Sequence, residues 1–116
     1  MKVSIITVCL NSEKTIRDTI TSVLSQNFAD VEYIIIDGGS KDKTLSIVHE
    51  YEDSIDKIVS EPDEGLYDAM NKGINIASGE VIGILNSDDF FENDNIINVV
   101  VNAFKKNPTV DLVFGD

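Results

Sequence analysis

Short apolar runs rich in β-branched residues alternate along this chain with segments whose apolar positions recur every three or four residues. The first pattern is typical of buried strands and the second of amphipathic helices. The predicted strands comprise residues 3–8, 31–36, 55–60, 81–85 and 110–114. Helices are predicted in the four intervals between them, with Asn11 or Ser12 as the cap of the first and Ser40 as the cap of the second.

Continuous apolar strands that alternate with amphipathic helices predict a parallel sheet covered on both faces and joined by right-handed crossovers. The predicted fold class is therefore α/β. Residues 1–116 are expected to form one domain, which is long enough to bury a hydrophobic core. In such a sheet, ligands bind in the crevice beyond the carboxyl ends of the strands, so the residues that follow each strand are the candidates for function.

The acidic pair Asp88-Asp89 follows the predicted strand at residues 81–85. Adjacent carboxylates repel each other and contribute nothing to a core, so their place at the end of a buried strand indicates a bound cation. A divalent cation such as Mg²⁺ or Mn²⁺ needs only one or two carboxylates and completes its coordination with water and phosphate oxygens. The pair therefore predicts a metal that binds a phosphorylated ligand, and the sequence leaves open which carboxylate coordinates it.

The chain is strongly acidic, which favours an anionic ligand that binds through a metal ion. It disfavours anionic partners such as nucleic acids and lipid headgroups. Nine Lys and Arg against 21 Asp and Glu give a net charge of -12. Such a chain repels nucleic-acid backbones and anionic lipid headgroups, so we expect no nucleic-acid partner. The first residues enter a strand pattern without a signal peptide, and the single Cys9 has no partner for an internal disulfide, so we expect a cytoplasmic protein.

Two further strand ends carry candidate residues. The segment 8–12 lacks the glycines of the dinucleotide fingerprint and of the Walker A loop, so we expect no Gly-rich turn to hold the phosphates there. Asp37 follows the second strand and precedes Gly38 and Gly39, where a carboxylate can accept hydrogen bonds from a base N–H or a ribose hydroxyl. The alternative is an Asx turn, in which Asp37 only ends the strand.

Six blocks of the sequence resemble family 2 glycosyltransferases in order and spacing. They are residues 4–11, 22–26, 32–44, 60–73, 77–80 and 85–89. The resemblance spans nearly the whole chain and implies a GT-A fold, a Rossmann-like three-layer α/β/α arrangement with a mostly parallel sheet. It also implies metal-dependent transfer of a sugar from a nucleotide-diphosphate sugar to an acceptor hydroxyl, with inversion at the anomeric carbon.

The resemblance assigns roles by position. It implies that Asp37 binds the base, that Asp63 is a further acid of the donor site, and that Asp88 and Asp89 contact the ribose and coordinate the metal. The remaining predicted donor-binding residues come from the end of the first strand and from one side of the third helix: Val8, Cys9, Leu10, Asn11, Tyr67 and Asn71.

The transfer also requires a general base that deprotonates the acceptor hydroxyl. The resemblance implies that this base lies downstream of Asp116, so the catalytic residue is unknown and we expect the natural protein to be longer. We expect a uridine donor, a saccharide or lipid-linked saccharide acceptor, and a role in cell-surface polysaccharide or glycan biosynthesis, peripheral at the inner membrane face. The last predicted strand would expose an edge through which two copies could form a homodimer.

Two alternatives remain open. One is a catalytically silent nucleotide-sugar-binding module that lacks the general base. The other is a phosphoacceptor receiver domain, which shares the acidic character and the alternating α/β pattern. A receiver would need an acidic pair after the first strand and a Lys after the fifth, and neither residues 10–12 nor residues 114–116 supply them.

Overall fold

The computed structural model describes residues 1–106, and within them four strands form one parallel sheet. The strands are β1 Val3–Cys9, β2 Val31–Asp37, β3 Lys57–Ser60 and β4 Val81–Ile84. Their spatial order is β3-β2-β1-β4, so the chain extends the sheet from β1 to one side and then crosses to the other. The four strands predicted in this part of the chain are confirmed. The strand predicted at 110–114, and the homodimer edge it would form, lie outside the described residues.

The same part of the chain contains four α-helices. They are α1 Ile16–Leu24, α2 Thr44–Glu50, α3 Leu66–Ile76 and α4 Ile96–Lys106, and a short 3₁₀ turn, Glu52–Ser54, follows α2. Buried residues of α1, α2 and α4 pack on one face of the sheet, whereas α3 packs on the other. Helices on both faces of a parallel sheet make the three predicted layers. No helix within residues 1–106 is long and apolar enough to cross a membrane.

Strand β1 shows how the sequence builds this core. Ile5 and Ile6 are neighbours and are both fully buried, because consecutive side chains of a strand point to opposite faces and helices cover each face. Ile5 packs in the cluster beneath α1, α2 and α4, and Ile6 packs in the cluster beneath α3. Complete burial of a side chain of this size contributes about 1.5 to 3 kcal/mol. The sheet is therefore a stable base for the loops at its carboxyl edge.

Small residues allow α3 to approach the sheet closely. A Cβ atom placed on Gly73 would lie 2.6 Å from Cγ2 of Ile6, which is itself fully buried. Ala69, one turn earlier in α3, is also buried. Because α3 begins at Leu66, beside the carboxyl ends of the strands, this close packing places the start of the helix against the crevice.

The predicted helix caps are wrong. Helix α1 begins four residues after Ser12 and α2 begins four residues after Ser40, and neither helix has a side-chain cap hydrogen bond. The Ser40 hydroxyl instead donates to the Asp37 carboxylate, and Asn11 Oδ1 accepts a hydrogen bond from the N–H of Lys41 at 2.9 Å. These side chains join the loops at the ends of β1 and β2, and that use of their polar atoms competes with capping.

Candidate functional site

A cleft of about 390 Å³ opens at the carboxyl edge of the sheet. The loops after β1, β3 and β4 and the start of α3 form it. It therefore lies at the switch point of the sheet, where β2 and β3 are added on one side of β1 and β4 on the other. The predicted site residues that line it are Val8, Cys9, Leu10, Asp63 and Asp88. In open parallel sheets, ligands bind at this switch point, and the structure therefore brings these residues to the expected place.

The wall formed by the end of β1 is mainly apolar. Val8 and Cys9 are buried, and Leu10 is exposed on the cleft. Burial, and then the neighbouring Asp37 carboxylate, raises the pKa of the Cys9 thiol well above its usual range, so the thiol stays protonated. Asn11 has a left-handed backbone with a φ of 50°, and its side chain contacts the loop after β2 rather than lining the cleft.

Asp37 ends β2 in a fully buried position and does not line the cleft. Its Oδ2 accepts hydrogen bonds from the N–H groups of Gly39 and Ser40, at 3.2 and 3.0 Å, and from the Ser60 hydroxyl at 2.8 Å. Burial alone would raise the pKa of this carboxyl, but the hydrogen bonds outweigh it and hold the pKa below its usual range. This is the arrangement of the Asx-turn alternative, and the base-binding role of Asp37 stays a prediction.

Asp63 lies in the loop between β3 and α3, where it is partly buried and lines the cleft. Its Oδ1 accepts a hydrogen bond from the N–H of Gly65 at 3.1 Å. Its Oδ2 lies beside the backbone of Gly38, where an added Cβ atom would be only 2.6 Å away. The Asp63 carboxylate is therefore seated against the loop after β2.

The acidic pair forms a turn directly after β4. The N–H of Asp89 donates to the carbonyl of Asn86 at 3.0 Å, and the N–H of Ser87 donates to the carbonyl of Val8 at 3.2 Å, which ties the turn to β1. The Asp88 side chain is exposed, lines the cleft and makes no hydrogen bond or ion pair with a residue that the structure describes. Asp89 is partly buried. Asp88 is therefore the better placed of the pair to contact a ligand.

Thr19 of α1 holds the acidic turn in place. Its side chain is fully buried, and its hydroxyl donates to the carbonyl of Ser87 at 3.0 Å and to the carbonyl of Asp89. The sequence reasoning missed this residue. The available signal is a polar residue on the buried face of an amphipathic helix, since such a group needs a hydrogen-bond partner inside the protein.

Ser22 and Gln26, farther along α1, hold the loop that follows the acidic turn. The Ser22 hydroxyl accepts a hydrogen bond from the N–H of Phe91 at 3.0 Å. The Gln26 amide donates to the carbonyl of Asn93 at 2.6 Å and accepts from the N–H of Ile97, in the first turn of α4, at 3.0 Å. The sequence reasoning assigned no role to the block that contains these two residues. The structure shows that the block positions the connection between β4 and α4.

The residues at the acidic turn fit a metal that binds together with a ligand. Within residues 1–106, no group of three or more His, Cys, Asp and Glu side chains is placed to hold a metal ion. Asp88 and Asp89 supply two adjacent carboxylates, and Mg²⁺ commonly uses only one or two carboxylates together with waters and substrate phosphates. The donor set is therefore adequate for a metal shared with phosphates and inadequate for a metal held by protein side chains alone.

Tyr67 and Asn71 are predicted to face the cleft from α3, but neither lines it. Both are exposed, Tyr67 to 80%. Leu66 and Ala69 line the cleft instead. They lie on the side of α3 that continues to Gly73 and the sheet, because positions three and four residues apart share one face of a helix. Donor-binding roles for Tyr67 and Asn71 stay predictions.

Comparison with known proteins adds independent findings. A family model, Glycosyl transferase family 2, matches residues 4–115. The poly-beta-1,6-N-acetyl-D-glucosamine synthase of Staphylococcus epidermidis is 36% identical over 116 residues, which cover 98% of this chain and 28% of that protein. A PGL/p-HBAD biosynthesis glycosyltransferase of Mycobacterium bovis is 34% identical over 117 residues, which cover 97% of this chain and 45% of that protein. The chain thus spans less than half the length of these curated relatives.

Solved structures share the fold. TarS of S. aureus, residues 1–349 in complex with UDP-GlcNAc, matches with a TM-score of 0.85 at 28% identity, over 93% of this chain and 32% of that one. The mannosyltransferase PcManGT of Pyrobaculum calidifontis, in complex with GDP-Man and Mn²⁺, matches with a TM-score of 0.86 at 22% identity, over 94% of this chain and 33% of that one. The predicted Rossmann-like fold of the GT-A type is confirmed.

Proposed function

The chain belongs to glycosyl transferase family 2, and from this membership we propose that its cleft binds the nucleotide-sugar donor of a glycosyl transfer reaction. The observation that carries the proposal is a cleft at the switch point of the sheet, with Asp63 after β3 on one side and Asp88 after β4 on the other. A nucleoside diphosphate has neutral hydrogen-bond donors at its nucleoside end and anionic phosphates at the other. The two carboxylates therefore suit its two ends in different ways.

The phosphates require a cation at the Asp88 end. The described residues that line the cleft include no Lys or Arg. The Lys72 ammonium group, in α3, lies 3.1 Å from Glu61 and 3.6 Å from Asp68, so acidic neighbours already balance its charge. Two like charges about 4 Å apart repel by roughly 1 to 4 kcal/mol near a protein surface. We propose that Mg²⁺ or Mn²⁺ connects the phosphates to Asp88 and Asp89.

When bound, this metal would neutralise the charge that develops on the diphosphate leaving group as the glycosidic bond breaks. The residues of the chain bind and orient the donor. Asp88 and Asp89 would hold the metal, and the Thr19 hydroxyl fixes the turn that carries them. Val8 and Leu10 offer an apolar wall beside the nucleoside. Such positioning lowers the barrier because the leaving group is held before the acceptor attacks.

The proposed reaction transfers the sugar to an acceptor hydroxyl with inversion of configuration. The hydroxyl attacks opposite the diphosphate, and a general base takes its proton. The described residues that line the cleft and could exchange a proton are Asp63, Asp88 and Cys9. We assign both carboxylates to binding the donor, and the Cys9 thiol stays protonated, so none of the three is left to act as the general base. We therefore propose that the 116-residue chain alone binds the donor without turning it over. The same observation favours a catalytically silent binding module as the second candidate function.

The relatives indicate the class of substrate that we propose. One relative is a poly-beta-1,6-N-acetyl-D-glucosamine synthase, and one structural neighbour binds UDP-GlcNAc. We propose a UDP-sugar donor and a saccharide or lipid-linked saccharide acceptor, in cell-surface polysaccharide or glycan biosynthesis. A cytoplasmic location, peripheral at the inner membrane face, goes with this proposal. A homodimer through the strand predicted at 110–114 stays a prediction.

Titration calorimetry of the chain with UDP, with and without Mn²⁺, tests the proposed function. We expect binding in Mn²⁺ that weakens roughly tenfold or more on removal of the metal or in Asp88→Asn and Asp89→Asn, because each change removes a link to the phosphates. Asp53→Asn is the matched control, since it makes the same charge change on an exposed residue of the 3₁₀ turn after α2. Absence of binding, or equal binding without Mn²⁺, would contradict the proposal.

A further inference from the structure

We propose that Ser12 and Ser87 are positioning residues, whose hydroxyl groups form a bridge between the loop after β1 and the acidic turn and so fix the place from which Asp88 binds the metal. The inference rests on the proposed function, because it assumes that a metal-bound nucleotide occupies the cleft. Neither serine is among the site residues predicted from the sequence, and four features of the structure point to their role.

The bridge joins two segments that are far apart in the sequence. The hydroxyl oxygens of Ser12 and Ser87 lie 2.6 Å apart, within hydrogen-bond distance, and either group can donate to the other. Ser12 follows β1 and Ser87 follows β4, and both residues line the cleft. Because Ser87 directly precedes Asp88, the bond connects the apolar wall of the cleft to the turn that carries the acidic pair.

Ser12 is held firmly by the rest of the fold. Its N–H donates to the Thr44 hydroxyl at 2.6 Å, and its carbonyl accepts hydrogen bonds from the N–H groups of Thr15 and Ile16 at 3.1 and 2.9 Å. Thr44 is the first residue of α2 and is fully buried, and its hydroxyl donates to the Asp42 carboxylate at 2.6 Å. These bonds join Ser12 to the starts of α1 and α2, so its hydroxyl is a fixed point for the acidic turn.

The Ser87 hydroxyl depends on Ser12. Ser87 is buried, with an exposed fraction of 8%, and within residues 1–106 its hydroxyl has no other hydrogen-bond partner. The Ser12 hydroxyl, in contrast, can also donate to the carbonyl of Leu10 at 3.2 Å. A buried hydroxyl without a partner is costly. Loss of the Ser12 hydroxyl would therefore favour a shift of the turn that brings the Ser87 hydroxyl to water, and Asp88 would shift with it.

The position of the turn matters because the ligand phosphates are proposed to bind only through a metal. The described residues that line the cleft include no Lys or Arg. Mg²⁺ demands near-ideal octahedral geometry, with metal–oxygen distances of about 2.0–2.1 Å, whereas Ca²⁺ accepts irregular coordination. A small displacement of Asp88 should therefore weaken Mg²⁺ binding more than Ca²⁺ binding. That difference distinguishes a bridge that positions the carboxylate from one that only stabilises the fold.

NMR titration of the isotope-labelled chain with UDP, in Mg²⁺, in Ca²⁺ and in EDTA, tests the bridge and measures weak as well as tight binding. In Mg²⁺, Ser12→Ala and Ser87→Ala should each weaken UDP binding about fivefold, because each change removes the bond that holds the turn. The double variant should lose about as much as either single variant, since both changes remove the same interaction. The loss should be smaller in Ca²⁺ and absent in EDTA.

Two further variants serve as controls. Ser12→Thr keeps the hydroxyl group and should bind UDP about as tightly as the wild type in Mg²⁺. Ser46→Ala makes the same change as Ser12→Ala at an exposed serine of α2, whose hydroxyl donates to the nearby carbonyl of Lys43 at 2.8 Å. It should leave UDP binding unchanged in all three buffers. The NMR spectrum of each variant also shows that the measured affinity belongs to a folded chain.

The outcomes separate this inference from the proposed function. A destabilised Ser12→Ala chain that bound UDP in Mg²⁺ as tightly as the wild type would overturn the inference, and so would equal losses in Mg²⁺, Ca²⁺ and EDTA. A loss in Ser87→Ala with none in Ser12→Ala would overturn it too, because Ser87 would then contact the ligand directly. In each case, metal-dependent UDP binding and its loss in Asp88→Asn would still support the function. A wild-type chain that bound no UDP in Mg²⁺ would overturn both.

Discussion

Glu32 and Asp63 are carboxylates at opposite edges of the sheet, and their surroundings differ. Glu32 lies near the start of β2, at the amino edge, where it is buried. It accepts hydrogen bonds from the Ser4 hydroxyl at 2.7 Å and from the N–H and hydroxyl of Ser78 at 2.9 and 3.0 Å, and its Oε2 lies 3.1 Å from the Lys57 ammonium group. Asp63, at the carboxyl edge, accepts one hydrogen bond within residues 1–106.

This difference separates carboxylates that hold the fold together from carboxylates that are available to a ligand. The distinguishing feature is how many of the oxygen lone pairs the chain itself satisfies. Asp37 lies at the carboxyl edge and yet resembles Glu32, because its own chain fills its acceptor positions. A buried carboxylate without partners would be costly, whereas one beside a cleft can be completed by a ligand or a metal.

Glu32→Gln should cause the largest loss of stability among the changes considered for the two edges. An amide removes the charge that pairs with Lys57 and brings an N–H group against donors of Ser78. We expect the free energy of unfolding, measured in urea, to fall by roughly 3 kcal/mol. Asp30→Asn, on an exposed residue just before β2, is the control and should change it by less than about 0.5 kcal/mol. A Glu32→Gln variant that lost UDP affinity without losing stability would contradict a structural role for the carboxylate at the amino edge.

The stability that Glu32 contributes should depend on pH. Burial would raise the pKa of Glu32, but hydrogen bonds from Ser78 and Ser4 and the Lys57 ammonium group lower it from 4.5 to about 2. Because the folded-state pKa lies below the unfolded one, the stabilisation is complete above about pH 4.5 and is lost as the pH falls toward 2. The stability difference between wild type and Glu32→Gln should therefore shrink by up to roughly 3 kcal/mol on acidification. A difference that stayed constant with pH would contradict this origin.

A smaller effect is expected at the carboxyl edge from Thr19→Val, which keeps the shape of the side chain and removes the hydroxyl that donates to Ser87 and Asp89. The free energy of unfolding should fall by about 1 to 2 kcal/mol, and Mn²⁺-dependent UDP binding should weaken several-fold as the acidic turn loses its support. Thr21→Val is the matched control. Thr21 is exposed, and its hydroxyl donates to carbonyls of its own helix. Unchanged UDP affinity in a destabilised Thr19→Val chain would reject a positioning role.

Much of the fold could be predicted because its signals are local. Strands β1 and β2 are short segments rich in β-branched residues and mainly apolar, and the structure buries their apolar side chains between two layers of helices. The acidic pair was also predictable, since a charged turn at the end of such a run lies at the carboxyl edge whatever the packing. These predictions depend on periodicity and on the direction of the strands.

Other features of the site could not be predicted because they depend on packing between distant segments. The exposure of Tyr67 follows from the rotation of α3, which the contact of Gly73 with Ile6 sets. Ser40 fails to cap α2 because its hydroxyl bonds to Asp37. The role of Thr19 depends on carbonyl groups of a turn far along the chain. The local sequence does not determine with which of several possible partners a polar side chain forms its hydrogen bond.

By itself, the sequence determined the α/β class, the order of strands and helices along the chain, and the position of Asp88 and Asp89 at the end of β4. Strand ends and helical periodicity depend on residues that are close together in the sequence. Only the tertiary structure decided which carboxylates the fold uses and which remain for a ligand. Asp37 finds its donors on β1, β3 and its own loop, and Asp63 is seated in space left by Gly38. The physical reason is that a hydrogen bond or a missing Cβ acts over a few ångströms in space, irrespective of separation along the chain.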